Sequence, residues 1–225
     1  MIPMCIHTYI HYDYKHPIYQ QLRTQVLRTK FYIFIPMNAP ANDTVRSINF
    51  SRTTITELMI PSYANFGGKI HGGILLSLMD KVAYACASRH AGAYCVTVSV
   101  DRVEFLQPVE VGELVSLHAS VNYVGRSSMI IGIRVEAQDV TTGVTRHTNS
   151  CYFTMVAKDD GNKPQQVPRL VLESRDDVRR FLEAMRRKDI RNKAREELDA
   201  AKSSVRVDEA RELLKDERCI INLNS

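Results

Sequence analysis

Residues 72–89 read GGILLSLMDKVAYACASR, and this stretch decides the fold. Two glycines open it, and the residues that follow are apolar or small at nearly every position, which leaves almost no polar face. A helix that is apolar all round is a buried helix. We therefore predict a long helix from residue 72 to about residue 89, packed inside the domain.

Segments with period-two alternation lie on both sides of this helix in the sequence. Such alternation is typical of strands with one packed face and one more polar face. The short connections between the segments that follow the helix favour antiparallel hairpins. The predicted strands span residues 51–60, 94–105, 114–124, 129–137 and 144–157. The predicted fold class is α+β, with one curved antiparallel sheet of about five strands wrapped around the long helix.

The excess positive charge lies near the ends of the chain. The formal net charge is +5, but residues 51–157 contain eight Lys or Arg and eight Asp or Glu. A nucleic-acid-binding domain carries a basic stripe on its folded surface, and this neutral middle section predicts none. No segment is apolar enough to span a membrane, and the N-terminus lacks the parts of a signal peptide. Five scattered cysteines without a Cys-x-x-Cys pair disfavour a disulfide framework or a zinc site, and favour a reducing, cytoplasmic location.

The sequence changes character toward both ends. The residues before Met37 have no clean period, and Asn-Ala-Pro-Ala-Asn after it is typical of a disordered start. Residues 1–46 are therefore predicted to be a disordered tail or a gene-start error, with Met37 as the true initiator. Residues 47–168 form the predicted folded domain, and residues 169–225 a charged helical extension with a capping-box pattern at its start. The sequence leaves open whether that helix docks on a neighbouring subunit or stays solvated.

Asp80 is a carboxylate inside the apolar helix. Helical neighbours lie three or four residues away, and the residues there are Leu76, Ser77, Ala83 and Tyr84, none of them cationic. Burying a carboxylate costs free energy unless it is paired or hydrogen-bonded. Asp80 is therefore a candidate general base or nucleophile. Hydrogen bonds from Tyr84 and backbone amides would give it a purely structural role, and the residues alone do not decide between the two.

Two glycines at the start of the same helix are a candidate oxyanion site. Gly72 and Gly73 expose backbone N–H groups on the positive end of the helix dipole, which suits a developing oxyanion. A glycine-rich turn capped by His71 explains the same residues without chemistry. Gly73 and Asp80 share a helix face but lie about 10 Å apart along the axis, too far to act on one carbonyl. A productive site therefore needs Asp80 and the glycines from two antiparallel helices of two subunits.

Three motifs carry a family resemblance. They are PSYANFGGKIHGGILLSLMD at 61–80, VTVSVDRVEFLQPVEVGELV at 96–115 and VGRSS at 124–128. In this order they resemble the cytosolic acyl-CoA hydrolase (YciA-type) branch of the hotdog-fold thioesterases, over roughly residues 51–168. The resemblance implies a helix wrapped by a curved sheet, hydrolysis of acyl-CoA thioesters, and a homodimer as the minimal unit, with trimers of dimers common.

The resemblance also implies roles for individual residues. Asp80 matches the catalytic acid, Asn65 an active-site residue in the loop before the helix, and Gly72 and Gly73 the amides that polarise the thioester carbonyl. A turn that helps to hold CoA matches Gly125, Arg126, Ser127 and Ser128. Many members of this branch have an aromatic residue where this chain has His71, and we expect His71 to be a helix N-cap without a chemical part.

The predicted function is therefore hydrolysis of acyl-CoA to a free acid and CoA in a site at the dimer interface. No metal or cofactor is implied, because CoA is part of the substrate. The alternative is a non-catalytic CoA or nucleotide binding module on the same scaffold, because fold does not fix function. Tight CoA binding without turnover of any acyl-CoA would favour that alternative.

Overall fold

The computed structural model describes residues 44–101, 103–204, 206 and 210–222 of the 225-residue chain. The chain divides into Met1–Ala39, which lies outside the described residues, and one compact unit, Pro40–Ser225. The predicted tail up to residue 43, including Met37, therefore also lies outside them. Within the described residues, no helix has both the length and the apolar character needed to cross a membrane.

The described elements follow the predicted order, with short additions at each end. The helices are α1 (Ile48–Ser51), α2 (Gly72–Ala91), α3 (Arg175–Ser204) and α4 (Ala210–Leu213), with a 3₁₀ turn at Pro61–Tyr63. The strands are β1 (Val45–Ser47), β2 (Thr53–Leu58), β3 (Tyr94–Val100), β4 (Leu114–Val124), β5 (Ser128–Gln138), β6 (Thr145–Lys158) and β7 (Arg169–Val171).

Five antiparallel strands form the main sheet, in the order β2-β4-β5-β6-β3. The alternating apolar residues of β4 and β5 are buried on its inner face, as predicted. Helix α2 contacts all five strands, because the sheet curls around it. The predicted α+β fold, a curved sheet around one long helix, is confirmed. β1 pairs in parallel with β7 beside this sheet.

Helix α2 is buried on one side only in the single chain. Met79, Val82 and Cys86 are fully buried against the sheet. Leu76 and Tyr84, which lie on the opposite side of the helix, are 39% and 43% exposed. An exposed face with large apolar residues indicates a surface that packs against another molecule.

Strand β3 differs from its prediction in its length and in which of its side chains face the core. It ends at Val100 rather than at residue 105, and its register with β6 shifts between Thr97 and Ser99. The alternation predicts that the valines face the core, but Val98 is 61% exposed and Thr97 faces α2. Because β3 is an edge strand, one side of its backbone has no neighbouring strand among the described residues.

Helix α3 crosses the outer face of the main sheet. It begins with the predicted capping box, in which the N–H of Asp177 donates to Ser174 Oγ and the N–H of Ser174 donates to Asp177 Oδ2. Phe181 packs on Tyr123 of β4, with ring centroids 5.1 Å apart. Further along, the Arg191 guanidinium binds Thr154 of β6 and Asp101 after β3.

Candidate active site

His71 organises the beginning of helix α2. It is the N-cap, and its Nδ1 accepts a hydrogen bond from the N–H of Gly73 at 2.9 Å. The expectation that His71 caps the helix is confirmed. The N–H of Gly73 is therefore already bonded to His71. The N–H of Gly72 has no acceptor among the described residues. A Cβ added to Gly72 would only make ordinary contact with the Phe105 ring, at 3.5 Å.

Asp80 lies two turns further along α2, on its exposed face. Its Oδ1 accepts a hydrogen bond of 2.6 Å from Thr97 Oγ1 of β3. Within the described part of the chain, no Lys, Arg or His forms an ion pair with Asp80. The sequence predicts that Asp80 lies in a helix that is buried all round, and this is wrong for the single chain, where Asp80 is exposed. One carboxylate oxygen of Asp80 is held by Thr97, and the other has no hydrogen-bond donor among the described residues.

Thr97 is the residue that the sequence prediction missed. In the alternation of β3 it stands at a polar position and was expected to face away from the core. The structure places it between the sheet and α2, where its hydroxyl also contacts Met155 Sδ at 3.2 Å. A threonine hydroxyl has one proton to donate. The shorter contact, to the Asp80 carboxylate, shows that this proton is donated to Asp80.

Asn65 lies in the loop before the helix, and its side chain orders that loop. Its Oδ1 accepts the N–H groups of Gly67 at 2.8 Å and Lys69 at 3.2 Å. The amide oxygen is therefore committed to the backbone, which fixes the plane of the side chain. Its NH₂ group has no acceptor among the described residues and is exposed. It is available to donate to a bound molecule.

The turn from Gly125 to Ser128 joins β4 and β5. Ser128 pairs with Val156 of β6, which in turn pairs with Val96 of β3. The end of the turn thus lies two strand spacings, about 10 Å, from the strand that carries Thr97. Arg126 is exposed in this turn. The structure therefore places the turn beside the strand end near Asp80 but not in contact with Asp80.

Comparison with known proteins then identifies the family. The family model described as the thioesterase superfamily matches residues 67–144. The Helicobacter pylori protein VdlD is 42% identical over 150 residues, which cover 67% of this chain and 86% of VdlD. The chain belongs to the hotdog-fold thioesterases. A mouse cytosolic acyl coenzyme A thioester hydrolase is 31% identical over 144 residues, but this match covers 38% of that longer protein and 63% of this chain.

Solved structures agree with this family membership. An acyl-CoA hydrolase from Staphylococcus aureus, solved with butyryl-CoA, CoA and CoA disulfide, has a TM-score of 0.65 and 30% identity. The match covers 71% of this thioesterase and 97% of the hydrolase. A hexameric acyl-CoA thioesterase, also with a TM-score of 0.65, is 32% identical, and its match covers 72% of this chain and 99% of that structure.

Variants of the S. aureus hydrolase give one further comparison. Three were solved with a single Asn, Asp or Thr replaced by alanine. In that hydrolase the Asn lies 15 residues before the Asp, and the Thr 17 residues after it. Asn65, Asp80 and Thr97 of this thioesterase have the same spacings. Asp80 and Thr97 are also the two residues that the structure joins by a hydrogen bond.

Proposed function

We propose that this thioesterase hydrolyses acyl-CoA to a free carboxylic acid and CoA, as a cytoplasmic member of the YciA-type branch. Water adds to the thioester carbonyl, the acyl carbon keeps the hydroxyl oxygen, and the sulfur leaves with a proton. The relatives named as acyl-CoA hydrolases and the S. aureus hydrolase with bound butyryl-CoA support this substrate class. The cytosolic mouse relative and the reduced cysteines Cys86, Cys95 and Cys151 support the location.

The observation that carries the proposal is the Asp80 carboxylate, held by Thr97 and without a cationic partner in the described chain. In this arrangement Asp80 removes a proton from water, or attacks the carbonyl directly and forms an anhydride that water then hydrolyses. Both routes use the same carboxylate, and Thr97 fixes its orientation in both. Neither route uses a metal or a cofactor.

The Gly72 amide is the proposed donor to the carbonyl oxygen. Of the predicted pair, Gly73 already donates to His71, so Gly73 supports the turn while Gly72 contacts the substrate. A backbone N–H at a helix N-terminus stabilises negative charge as it develops on the oxygen. The free NH₂ group of Asn65 is positioned by its loop to bind the carbonyl or the attacking water.

The proposed active site is shared by two copies of the chain. Gly72 and Asp80 of one helix are about 12 Å apart along the axis, too far for one reacting carbonyl. Two features support a second copy at this place. The exposed face of α2 carries Leu76 and Tyr84 beside Asp80, and the open edge of β3 carries the exposed Val98. Antiparallel packing of two α2 helices, with two β3 edges paired, brings Asp80 of one copy toward Gly72 of the other.

The remaining parts of the proposal concern CoA and the assembly. The turn Gly125, Arg126, Ser127 and Ser128 would hold CoA, with the Arg126 guanidinium binding a phosphate. The exposure of Arg126 near the strand end supports this role. A homodimer is the minimal unit, and the hexameric relative supports a trimer of dimers as the larger assembly.

The direct test is hydrolysis by Asp80→Asn over a panel of acyl-CoAs of increasing length. Removing a general base or nucleophile is expected to lower kcat by about 10²–10⁴-fold, while the exposed position should leave folding intact. Circular dichroism and the thermal unfolding temperature provide the control. Wild-type rates in a folded Asp80→Asn protein would rule out the mechanism. Tight CoA binding by the wild type without turnover of any acyl-CoA would instead indicate a binding module.

A further inference from the structure

A cleft on the outer face of the sheet has the features of a second binding site. It lies between strands β4, β5 and β6 and the first turns of helix α3, and its volume is about 450 Å³. Alternation along the strands places its lining side chains on the sheet face opposite to Asp80. A molecule in this cleft would therefore not touch the proposed reaction site.

The floor of the cleft is polar and buried. Ser120 and Asn122 are each only 6% exposed, and Ser120 Oγ donates to Asn122 Oδ1 at 3.0 Å. The Asn122 amide nitrogen lies directly over Gly132, where an added Cβ would be only 2.3 Å from it. Gly132 therefore provides the space that the amide occupies. With the oxygen bound to Ser120, the NH₂ group of Asn122 is left without an acceptor among the described residues.

Positive charge surrounds this floor. Arg52, Arg134, Arg179 and Arg180 line the cleft, and Glu183 is its single carboxylate among the described residues. Arg134 pairs with Glu136, Arg179 pairs with both Asp176 and Glu183, and Arg180 pairs with Asp176. These pairs are exposed, and exposed pairs are weak and exchange partners readily. Arg52 forms no ion pair or side-chain hydrogen bond within the described chain.

Three donors in the cleft have no acceptor in the part of the chain that the structure describes. They are the Arg52 guanidinium, the Asn122 NH₂ group and the hydroxyl of Tyr152. The Tyr152 ring is held in place by the Arg187 guanidinium, 3.9 Å from its centroid. Asn122 is buried and Tyr152 is half-buried, whereas Arg52 is exposed, so a ligand that enters the cleft can reach donors at its floor and at its rim. Donors that converge on one cavity lined by arginines favour an anion with several acceptor oxygens.

We propose that this cleft binds a small phosphate-bearing anion. A phosphate group offers several acceptor oxygens to donors that converge from different directions, and a guanidinium pairs with it in a bidentate manner. The cavity volume lies within the usual range for small-molecule sites. Bound there, the anion would link β4–β6 to the first turns of α3, because both contribute to its surroundings. The site is independent of the acyl-CoA hydrolase activity.

The test is isothermal titration of the full-length protein with inorganic pyrophosphate and, separately, inorganic phosphate, at constant ionic strength because surface charge is screened by salt. We expect one site per chain. Arg52→Gln should weaken binding by at least about tenfold, because it removes a charged donor. Tyr152→Phe removes one oxygen atom and should weaken binding less. The matched control is Arg195→Gln, which removes one positive charge from an exposed part of α3 outside the cleft.

Two outcomes overturn the proposal. One is the absence of binding of either anion to the wild type. The other is equal affinity in Arg52→Gln, Tyr152→Phe and the Arg195→Gln control, which would show binding by general surface charge. Acyl-CoA hydrolysis by each variant reports on folding, since none of these residues belongs to the proposed active site. If Arg52→Gln lost both folding and binding, the one-atom change in Tyr152→Phe still decides the question.

Discussion

Asp80 and Thr97 form the shortest link between the helix and the strand at the proposed active site. Replacing Thr97 with valine keeps the shape of the side chain but removes the 2.6 Å hydrogen bond to the carboxylate. A carboxylate that is free to rotate loses its alignment, so kcat should fall by about 10- to 100-fold with little change in KM. Steady-state kinetics of Thr97→Val measure this, and Thr97→Ser, which keeps the hydroxyl, should recover most of the rate. Equal rates in Thr97→Val and the wild type would show that Asp80 needs no such support.

Gly72 allows the backbone amide itself to be removed. It is the first residue of helix α2, where proline is favoured, and the extended backbone of His71 before it is compatible with a following proline. Gly72→Pro therefore deletes the proposed oxyanion donor while the helix keeps its start. We expect a loss of about 10²–10³-fold in kcat. The matched variant Gly72→Ala keeps the N–H and should stay close to the wild type. Similar losses in both variants would point to a steric effect near Phe105 instead.

The sequence was sufficient to predict some of these residues but not others. Asp80 can be predicted because it is a carboxylate in an apolar helix and has no cationic residue one helical turn away. Gly72 and Gly73 can be predicted because they are the first two residues of that helix. Thr97 could not be found in this way. Alternation shows that residues 95 and 97 share one face and residues 96 and 98 the other, but the choice of inner face depends on the neighbours. In the single chain the edge position leaves Val98 exposed, and register with β6 turns Thr97 toward α2.

At the scale of elements, the strands that pair on both sides were the most predictable. The bounds of β4 match the prediction, and β5 and β6 agree within one residue at each end. The edge strand β3 was predicted five residues too long. Each central strand is buried by neighbours on both sides, so its hydrophobic pattern matches its final environment. Helix α2 has apolar residues on nearly all sides, but the single chain covers only one side of it. Leu76 and Tyr84 therefore remain exposed.

The end of helix α2 gives an element-scale prediction about pH. His90 is fully buried, with Nε2 donating to the carbonyl of Pro168 at 3.1 Å and Nδ1 near Ser51 Oγ. Burial lowers the pKa of His90 below its ordinary value of 6.5; the Pro168 contact opposes this change, and the charge of Arg46 adds to it. The unfolded chain therefore takes up this proton at a higher pH than the folded protein does.

It follows that the contribution of His90 to stability is complete above its unfolded pKa, near pH 6.5, and is lost as the pH falls below it. Urea unfolding at several pH values should show a falling free energy of unfolding in this range. The His90→Gln variant should be less stable overall but should have a flatter pH profile there. Glu113 acts in a lower range. Burial has the largest single effect on its pKa and raises it, but the hydrogen bonds from Arg146 and from the Glu110 N–H, together with the charge of Arg146, outweigh burial and lower the pKa of Glu113 below 4.5. An unchanged slope in His90→Gln would assign the effect to another group.

At the scale of the whole molecule, the exposed face of α2 lies beside the edge strand β3, and the hydrogen bond from Thr97 to Asp80 joins them. The exposed helix face carries Asp80, Leu76 and Tyr84. The proposed catalytic carboxylate of Asp80 is poorly placed in a monomer, because Asp80 is exposed to water and the Gly72 amide of the same helix is out of its reach. Both deficiencies are corrected together if a second copy covers the surface around a two-fold axis.

This arrangement predicts that two inactive variants restore each other. In a mixed dimer of Gly72→Pro and Asp80→Asn chains, one site carries both substitutions and the other carries neither. Random pairing in an equal mixture then leaves roughly a quarter of all sites intact, whether the assembly is a dimer or a trimer of dimers. Co-expression of the two chains with different affinity tags, followed by assays of acyl-CoA hydrolysis, measures the recovered fraction. The Gly72→Ala chain, paired with Asp80→Asn in the same way, controls for the yield of mixed assemblies. If tag-verified mixed assemblies are no more active than the separate variants, Gly72 and Asp80 must serve one site from the same chain, and the shared active site is wrong even if the protein hydrolyses acyl-CoA.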